Sequence, residues 1–278
     1  MAEIALYLVA TPIGNLGDMV PRAVQCLQSV DLIAAEDTRR TAVLCRHFAI
    51  RTRLCAYHEH NEVTRARRLC GLMAAGKKIA LVADAGTPLI ADPGYRLAAA
   101  ARAAGLGVSV IPGPCALVAA LAGAGLPSDR FLFVGFPPAR AAARAEWFAD
   151  LGAERGTLVC YESSHRILST LAMLVEVFGG ERRVCLAREL TKLHESWLHG
   201  TLEQVWRAVA ADPNQCRGEH VLVISGADRQ AVPEPEIARH MRLLMAELPT
   251  AKAATIAARL LGVSRRECYR LGVELAKG

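Results

Sequence analysis

Lys78-Ile79-Ala80-Leu81-Val82-Ala83-Asp84-Ala85-Gly86-Thr87-Pro88-Leu89-Ile90-Ala91-Asp92-Pro93-Gly94 is the stretch on which the fold turns. Its first five residues are a short apolar run bounded by charge and turn residues, the pattern of a strand buried on both faces of a parallel sheet. Beyond Val82 the side chains give way to Gly, Pro, Thr and Asp. In open α/β sheets, ligands sit just outside the carboxyl ends of the strands. Gly86 allows backbone to approach a ligand closely, and Pro88 and Pro93 stiffen the turn. An ordinary βα turn is the competing reading of a lone Asp-Ala-Gly. Two Gly and two Pro between Asp84 and Gly94, with a helix expected over Arg96–Ala104, favour a ligand loop.

The same pattern recurs on either side. Ile4–Ala10 reads as a first strand ending at Thr11-Pro12-Ile13-Gly14-Asn15-Leu16-Gly17. Apolar residues at 20, 23, 24, 27 and 30 predict a helix over Val20–Val30. Asp31–Ala35 is a second strand, followed by Glu36-Asp37-Thr38-Arg39-Arg40. Gly107–Ile111 is another, ending at Pro112-Gly113-Pro114-Cys115-Ala116. Strands alternating with helices predict a mostly parallel, doubly wound sheet whose loops converge on one rim. A second strand-rich unit follows, with strands at Arg130–Phe136, Thr157–Glu162, Arg183–Ala187 and His220–Ser225. Two α/β domains are therefore expected, over 1–116 and 117–230, followed by a helical tail over 231–278.

That tail opens with a linker, Ala231-Val232-Pro233-Glu234-Pro235-Glu236, and continues as helices over Ile237–Glu247, Ala251–Leu261 and Arg265–Ala276. Ser264 is placed as the N-cap of the last helix. The spacing is that of a helix-turn-helix. Eight Lys/Arg against four Glu in residues 235–278 leave it basic, so nucleic-acid contact competes with a simple packing hairpin.

Composition narrows the class. With 278 residues, 53% hydrophobic and 22% charged, the chain is globular and large enough for two cores. Nine scattered cysteines, none spaced C-x-x-C, give neither a zinc pattern nor a disulfide framework, and predict free thiols in a reducing cytoplasm. No signal peptide is visible. The uncharged stretch Ala103–Ser128 is interrupted by Pro112, Pro114 and Pro127, which argues against a membrane span. A net charge of +6 permits an anionic partner without requiring one. No G-x-G-x-x-G, P-loop or G-x-S-x-G occurs, so dinucleotide binding, nucleotide hydrolysis and serine hydrolysis lack support. His58 and His60 could bind a metal, but no second ligand cluster accompanies them, and no metal is expected.

Taken together, the loops resemble the ribosomal small-subunit RNA methyltransferase I family of the tetrapyrrole-methylase superfamily. The resemblance is carried by Leu8–Asp18, Ala35–Arg39, Ala83–Gly94, Ile111–Pro114, Tyr161–Ser163, His165-Arg166, Ala187–Lys192 and Gly218–Ile224, in that order over nearly the whole chain. Four local departures accompany it: Ser164 stands where proline is usual, Cys115 where serine is common, His220 for an aromatic and Ser225 for an acid. The resemblance implies two α/β domains with a cleft between them for S-adenosylmethionine. It also implies a homodimer, and methylation of a cytidine ribose 2′-oxygen in 16S rRNA, free or in the assembled small subunit.

On that resemblance the cofactor residues are Pro12, Gly14, Asp84, Ala85, Gly86, Thr87, Pro112, Cys115, Ala116, Tyr161, Glu162 and Glu219. A ribose hydroxyl is a poor nucleophile, so a proton acceptor should help. Glu189, Lys192, Asp37 and His165 are the candidates, Lys192 only if its pKa is depressed. Arg39, Arg40, Arg166, Arg188, Arg265 and Arg266 are candidates for RNA phosphates, which position the substrate without specifying sequence. Two other readings stay open. One is a tetrapyrrole methyltransferase on the same fold; the other is a non-enzymatic helix-turn-helix binder.

Overall fold

In the computed structural model, which describes residues 3–227 and 233–276, the period-2 alternation of the buried strands decides what each sheet face touches. The first sheet comprises β1 (Ile4–Val9), β2 (Leu32–Ala35), β3 (Leu54–Ala56), β4 (Ile79–Val82) and β5 (Gly107–Ile111). Its order is β3-β2-β4-β1-β5, with every neighbouring pair parallel. On β1 and β4, Leu6, Leu8, Ile79 and Leu81 enter one apolar core, whereas Val9, Ala80 and Val82 enter the opposite one. Each face is covered by helices. α1 (Pro21–Ser29) lies on one face, and α3 (Glu62–Ala74) and α4 (Tyr95–Ala103) lie on the other. All four residues of β4 are buried, as the uninterrupted apolar run requires.

Glu36–Arg40 is not a free charged loop. Asp37 caps α2 (Thr38–His47), its carboxylate accepting from the Arg39 N–H at 2.9 Å. β3 lies outside the sequence reading because its three residues are too few to show a period.

α5 (Ala116–Gly123) leads into a second sheet of β6 (Phe131–Gly135), β7 (Thr157–Glu162), β8 (Arg183–Arg188), β9 (Ser196–Thr201) and β10 (His220–Ile224). Its order is β6-β7-β10-β8-β9, and only β6 and β7 run parallel. One face carries α6 (Ala141–Asp150), α7 (Ile167–Phe178) and α8 (Leu202–Ala211) through Leu158, Leu186 and Leu222. The other packs Val159, Ala187, Val221 and Val223 against Leu117 and Leu121 of α5 and against Ile13 from the first half. Both sheets belong to one compact unit, Met1–Gly226.

The second compact unit, Ala227–Gly278, holds α9 (Glu234–Met245), α10 (Thr250–Leu261) and α11 (Arg265–Leu275) around Ile237, Met241, Ala257, Cys268 and Leu271. Ala231 and Val232 of the expected linker, and Lys277 of the basic tail, lie outside the described residues; Glu234, Pro235 and Glu236 of that linker are instead the first turn of α9, where a proline is tolerated because its missing N–H has no helical partner. Ser264 Oγ accepts from the Glu267 N–H at 3.1 Å and caps α11. Ser264→Ala should destabilise this small bundle by about 1 kcal/mol. Thermal denaturation of the tail signal checks it, and no change would show that the cap is replaced by water. No helix among the described residues is long and apolar enough to cross a membrane.

Candidate functional site

The loops after the parallel strands meet loops of the second sheet around a cavity of about 480 Å³. Ile13 follows β1, Glu36 and Arg40 follow β2, and Asp84–Thr87 and Ile90–Asp92 follow β4. Cys115 and Ala116 open α5. Phe136, Tyr161–Ser164 and Gly218–Val221 complete the wall. The volume suits a small-molecule ligand.

Backbone lacing holds the first-half loops in register. Thr11 and Gly86 exchange N–H···O bonds of 2.9 and 3.0 Å. The Thr87 hydroxyl donates to the Pro114 carbonyl at 3.0 Å. Gly86 has φ +81°, a left-handed conformation that glycine adopts without a Cβ penalty.

Three carboxylates face this space. Asp84 Oδ1 accepts the Asp37 N–H at 2.8 Å, and its Oδ2 pairs with Arg40 at 3.3 Å. Burial raises the pKa of Glu36, and the neighbouring Asp84 charge adds to the effect. Asp92 is pushed up to about 7, first by burial and then by the charges of Glu36 and Asp84. Three acids crowded in a desolvated wall favour a bound cation and a retained proton.

On the opposite wall the Tyr161 hydroxyl accepts the Leu117 N–H at 3.2 Å, and its ring meets Phe133 and Phe136 edge-on at 5.0 and 5.4 Å. Glu162 is fully buried. It accepts from Ser163 N at 2.7 Å, Arg166 Nε at 2.9 Å and the Thr170 hydroxyl at 2.7 Å, so its carboxylate anchors the start of α7. His220 Nε2 lies 2.8 Å from the Gln215 carbonyl, and burial lowers the pKa of this ring, keeping it neutral.

Of the cofactor residues expected from sequence, Asp84, Ala85, Gly86, Thr87, Cys115, Ala116, Tyr161, Glu162 and Glu219 line the cavity. Pro12, Gly14 and Pro112 do not. Gly14 instead lines a shallow depression with Asn15, Leu16, Thr191, Lys192 and Leu193, where a Cβ would collide with the Lys192 side chain.

None of the four proton-acceptor candidates lines the cavity. Asp37 is brought down to about 2 by its hydrogen bonds with Arg39 and serves as a helix cap. Lys192 Nζ bridges Glu189 and Glu219, both at 2.8 Å. Partial burial opposes its charge, but these two carboxylates outweigh burial and raise its pKa, the reverse of what a basic lysine needs. Partial burial likewise works against the Glu189 charge. The Lys192 ammonium and the Glu219 N–H outweigh it and hold Glu189 low. His165 is exposed at the start of α7. Asp92 and Glu36 line the cavity without being among the site residues expected from sequence. Asp92 stands in the Ala83–Gly94 motif, but its burial against two other acids has no one-dimensional signature.

The arginines divide. Arg265 and Arg266 are exposed, and so are Arg39 and Arg40, although these two also pair with Asp37 at 2.8 Å and Asp84 at 3.3 Å. Arg166 is paired with Glu162 at 2.7 Å. The Arg188 guanidinium donates to the Arg217 and His194 carbonyls at 2.7 and 3.1 Å, bracing loops. Among the described residues no group of His, Cys, Asp or Glu is arranged to hold a metal ion.

A parallel sheet and a mixed sheet enclosing a cavity at their strand ends define a protein of the tetrapyrrole methylase class. The profile of the Tetrapyrrole (Corrin/Porphyrin) Methylases matches residues 5–205, and that of the RsmI C-terminal HTH domain matches residues 224–276. Solved structures agree on the fold. A uroporphyrin-III-C-methyltransferase from Thermus thermophilus superposes with a TM-score of 0.57 at 21% identity, covering 80% of this chain and 94% of its own. A diphthine synthase gives 0.58 at 13% identity, covering 80% and 90%. Ribosomal RNA small subunit methyltransferase I of Escherichia coli O157:H7 is 49% identical over 271 residues, covering 97% of this chain and 94% of that protein. Its counterpart in Pseudomonas aeruginosa is 47% identical over 277 residues, covering 99% and 98%. The chain belongs to the ribosomal RNA small subunit methyltransferase I family.

Proposed function

We propose that this protein transfers a methyl group from S-adenosylmethionine to the ribose 2′-oxygen of a cytidine in 16S rRNA of the small ribosomal subunit, acting in the cytoplasm as a homodimer. The observation that carries the reading is one cavity in which the loops after β1, β2, β4 and β5 face the β7 and β10 ends of the second sheet. Its residues fit the donor. The wall of Glu36, Asp84 and Asp92 suits a sulfonium cation. Gly86 leaves backbone bare where a ligand approaches, and Ala116 begins a helix whose N-terminal end favours a carboxylate.

Asp84–Thr87, Cys115-Ala116, Tyr161 and Gly218–Glu219 would hold the donor, which when bound supplies an electrophilic methyl group. Walls fixed by hydrogen bonds position the two reactants, an effect that lowers a barrier by ~7–11 kcal/mol when alignment is complete. Asp92 takes the ribose hydroxyl proton, since its raised pKa matches a proton acceptor working near neutrality. Glu189, Lys192 and Glu219 act together as a brace for the Gly218–Glu219 wall. The exposed Arg39, Arg40, Arg265 and Arg266 supply sequence-independent attraction for rRNA.

Mass mapping of 2′-O-methyl groups on rRNA from cells with and without the protein tests the proposal. One cytidine methylation should disappear with the gene, and an unchanged pattern would sink the reading. Transfer of labelled methyl to a tetrapyrrole but not to rRNA would assign the chain to the other activity known on this fold.

A further inference from the structure

We infer that the groove between α3 and α4 is a docking surface for single-stranded RNA beside the methylated nucleotide, with Tyr95 as its stacking platform. The inference rests on the rRNA methyltransferase reading and extends it to a face of the molecule that neither the motifs nor the cavity includes. The groove is lined by Val63, Arg67, Cys70, Tyr95, Arg96 and Ala99, among others, and encloses about 550 Å³. Tyr95 is 75% exposed. An aromatic side chain left in water on a helix surface adds nothing to a core, but its flat face matches an unpaired base.

Charge selects the partner. α3 and α4 carry Arg65, Arg67, Arg68, Arg96 and Arg102 against one acid, Glu62. Glu62 is turned inward, with its side chain 13% exposed. Its Oε1 accepts from the Tyr57 hydroxyl and the Gly94 N–H, both at 3.1 Å, and its Oε2 lies 3.4 Å from Arg96. Of these arginines, Arg67 and Arg96 line the groove, whose lining holds no acid, while Glu62 pairs with Arg96 and fixes the start of α4. A polyanion with exposed bases complements cations interleaved with an aromatic.

Position selects the strand. Tyr95 follows Ala91-Asp92-Pro93-Gly94, and Ala91 and Asp92 line the cavity. Tyr95 therefore opens α4 three residues after Asp92, so the chain runs directly from the cavity wall to the platform. A nucleotide flanking the acceptor can stack on Tyr95 while Arg67 and Arg96 meet its phosphates.

The test is binding of small ribosomal subunits that lack the methylation, and of 16S rRNA extracted from them, by the full-length protein. Tyr95→Ala should weaken RNA binding roughly tenfold, and Tyr95→Phe, which keeps the ring, should restore it. Arg67→Gln should lower the slope of log affinity against log salt by about 0.7. Binding of S-adenosylmethionine by calorimetry and the melting temperature should match the unsubstituted protein in all three. RNA affinity and salt slope unchanged in both Tyr95→Ala and Arg67→Gln would overturn the inference. A fall in oligomeric size on sedimentation of Tyr95→Ala would also overturn it, giving the groove to a second copy of the chain. If the unsubstituted protein binds S-adenosylmethionine but neither binds nor methylates small-subunit rRNA, the functional reading beneath it fails, and the docking surface with it.

Discussion

Gly86→Val should abolish measurable binding of S-adenosylmethionine, weakening it by at least about 100-fold. Three features of the position add up. Gly86 has φ +81°, where a β-branched side chain is a steric outlier; holding it there costs on the order of 1–3 kcal/mol. A Cβ would lie 3.2 Å from the Ile13 Cγ2 and 3.6 Å from the Pro114 carbonyl oxygen, so the two further methyl carbons of valine have no room without moving one of these loops. Finally, Gly86 shares its bridge with Thr11, so a shift at Gly86 is passed to the loop after β1. All three loops border the cavity. Relief of the strain by backbone rotation would break the bridge and the wall together. Calorimetric titration with the donor, alongside circular dichroism to show a folded chain, gives the result. A folded Gly86→Val protein that binds the donor with unaltered affinity would remove this turn from the site. Gly86→Ala, with one carbon and the same φ, should fall between the two.

This position also shows how much of the molecule the sequence makes legible. The apolar run Ile79–Val82 and its Gly/Pro-rich exit are local patterns, and strand, loop and α4 appear where those patterns place them. The same holds for β7, β5, α10 and α11, because each has a clear period and a clear stop; α9 starts a turn early, since Pro235 reads as a linker residue although the first turn of a helix accepts it. β9 escapes because Ser196–Thr201 mixes Trp197 and Leu198 with His199 and Gly200 and lacks an apolar face. α2 escapes because its charged residues mimic a loop; only the Asp37 cap betrays a helix start, and an acid at a strand end resembles a site residue equally well. The site divides in the same way. Loop backbones that line the cavity follow from motif and topology. The roles of ionisable groups do not, because they depend on partners remote in the chain. Lys192 meets Glu219, 27 residues away, and that contact turns a candidate base into a fixed cation. Asp92 meets Glu36 and Asp84 across the loops after two different strands, and that meeting gives it a pKa far from its usual value.

Asp92→Asn should lower the rate of methyl transfer by about 10²–10⁴-fold, and should stabilise the protein at alkaline pH. Both effects come from one cause. Burial, then the charges of Glu36 and Asp84, raise Asp92 from 3.8 to about 7 in the folded chain. Between about pH 4 and 7 the folded state keeps a proton that the unfolded chain has released. Stability therefore falls as pH rises through that window, and the full penalty is present above it. Asparagine keeps the shape without the charge. At pH 8 the shift corresponds to roughly 4 kcal/mol under full desolvation, and for a partly exposed side chain a gain on the order of 2 kcal/mol is expected. At pH 4 both side chains are neutral and the gain vanishes. Catalysis moves the other way. In the unsubstituted enzyme the single-turnover rate should climb tenfold per pH unit below about 7 and then level, as Asp92 becomes able to accept the ribose proton. Asp92→Asn should be slow and flat over the same range, because an amide cannot take that proton. Donor affinity should weaken only modestly, since Glu36 and Asp84 still face the cation. The decisive comparison is single-turnover methylation and urea denaturation of both proteins at pH 6 and pH 8. Wild-type rate and pH profile in Asp92→Asn would exclude Asp92 as the proton acceptor, even if the gain in stability were found. Loss of rate without a change in pH profile would leave it a positioning residue, fixing the Glu36 and Asp84 wall that the donor meets.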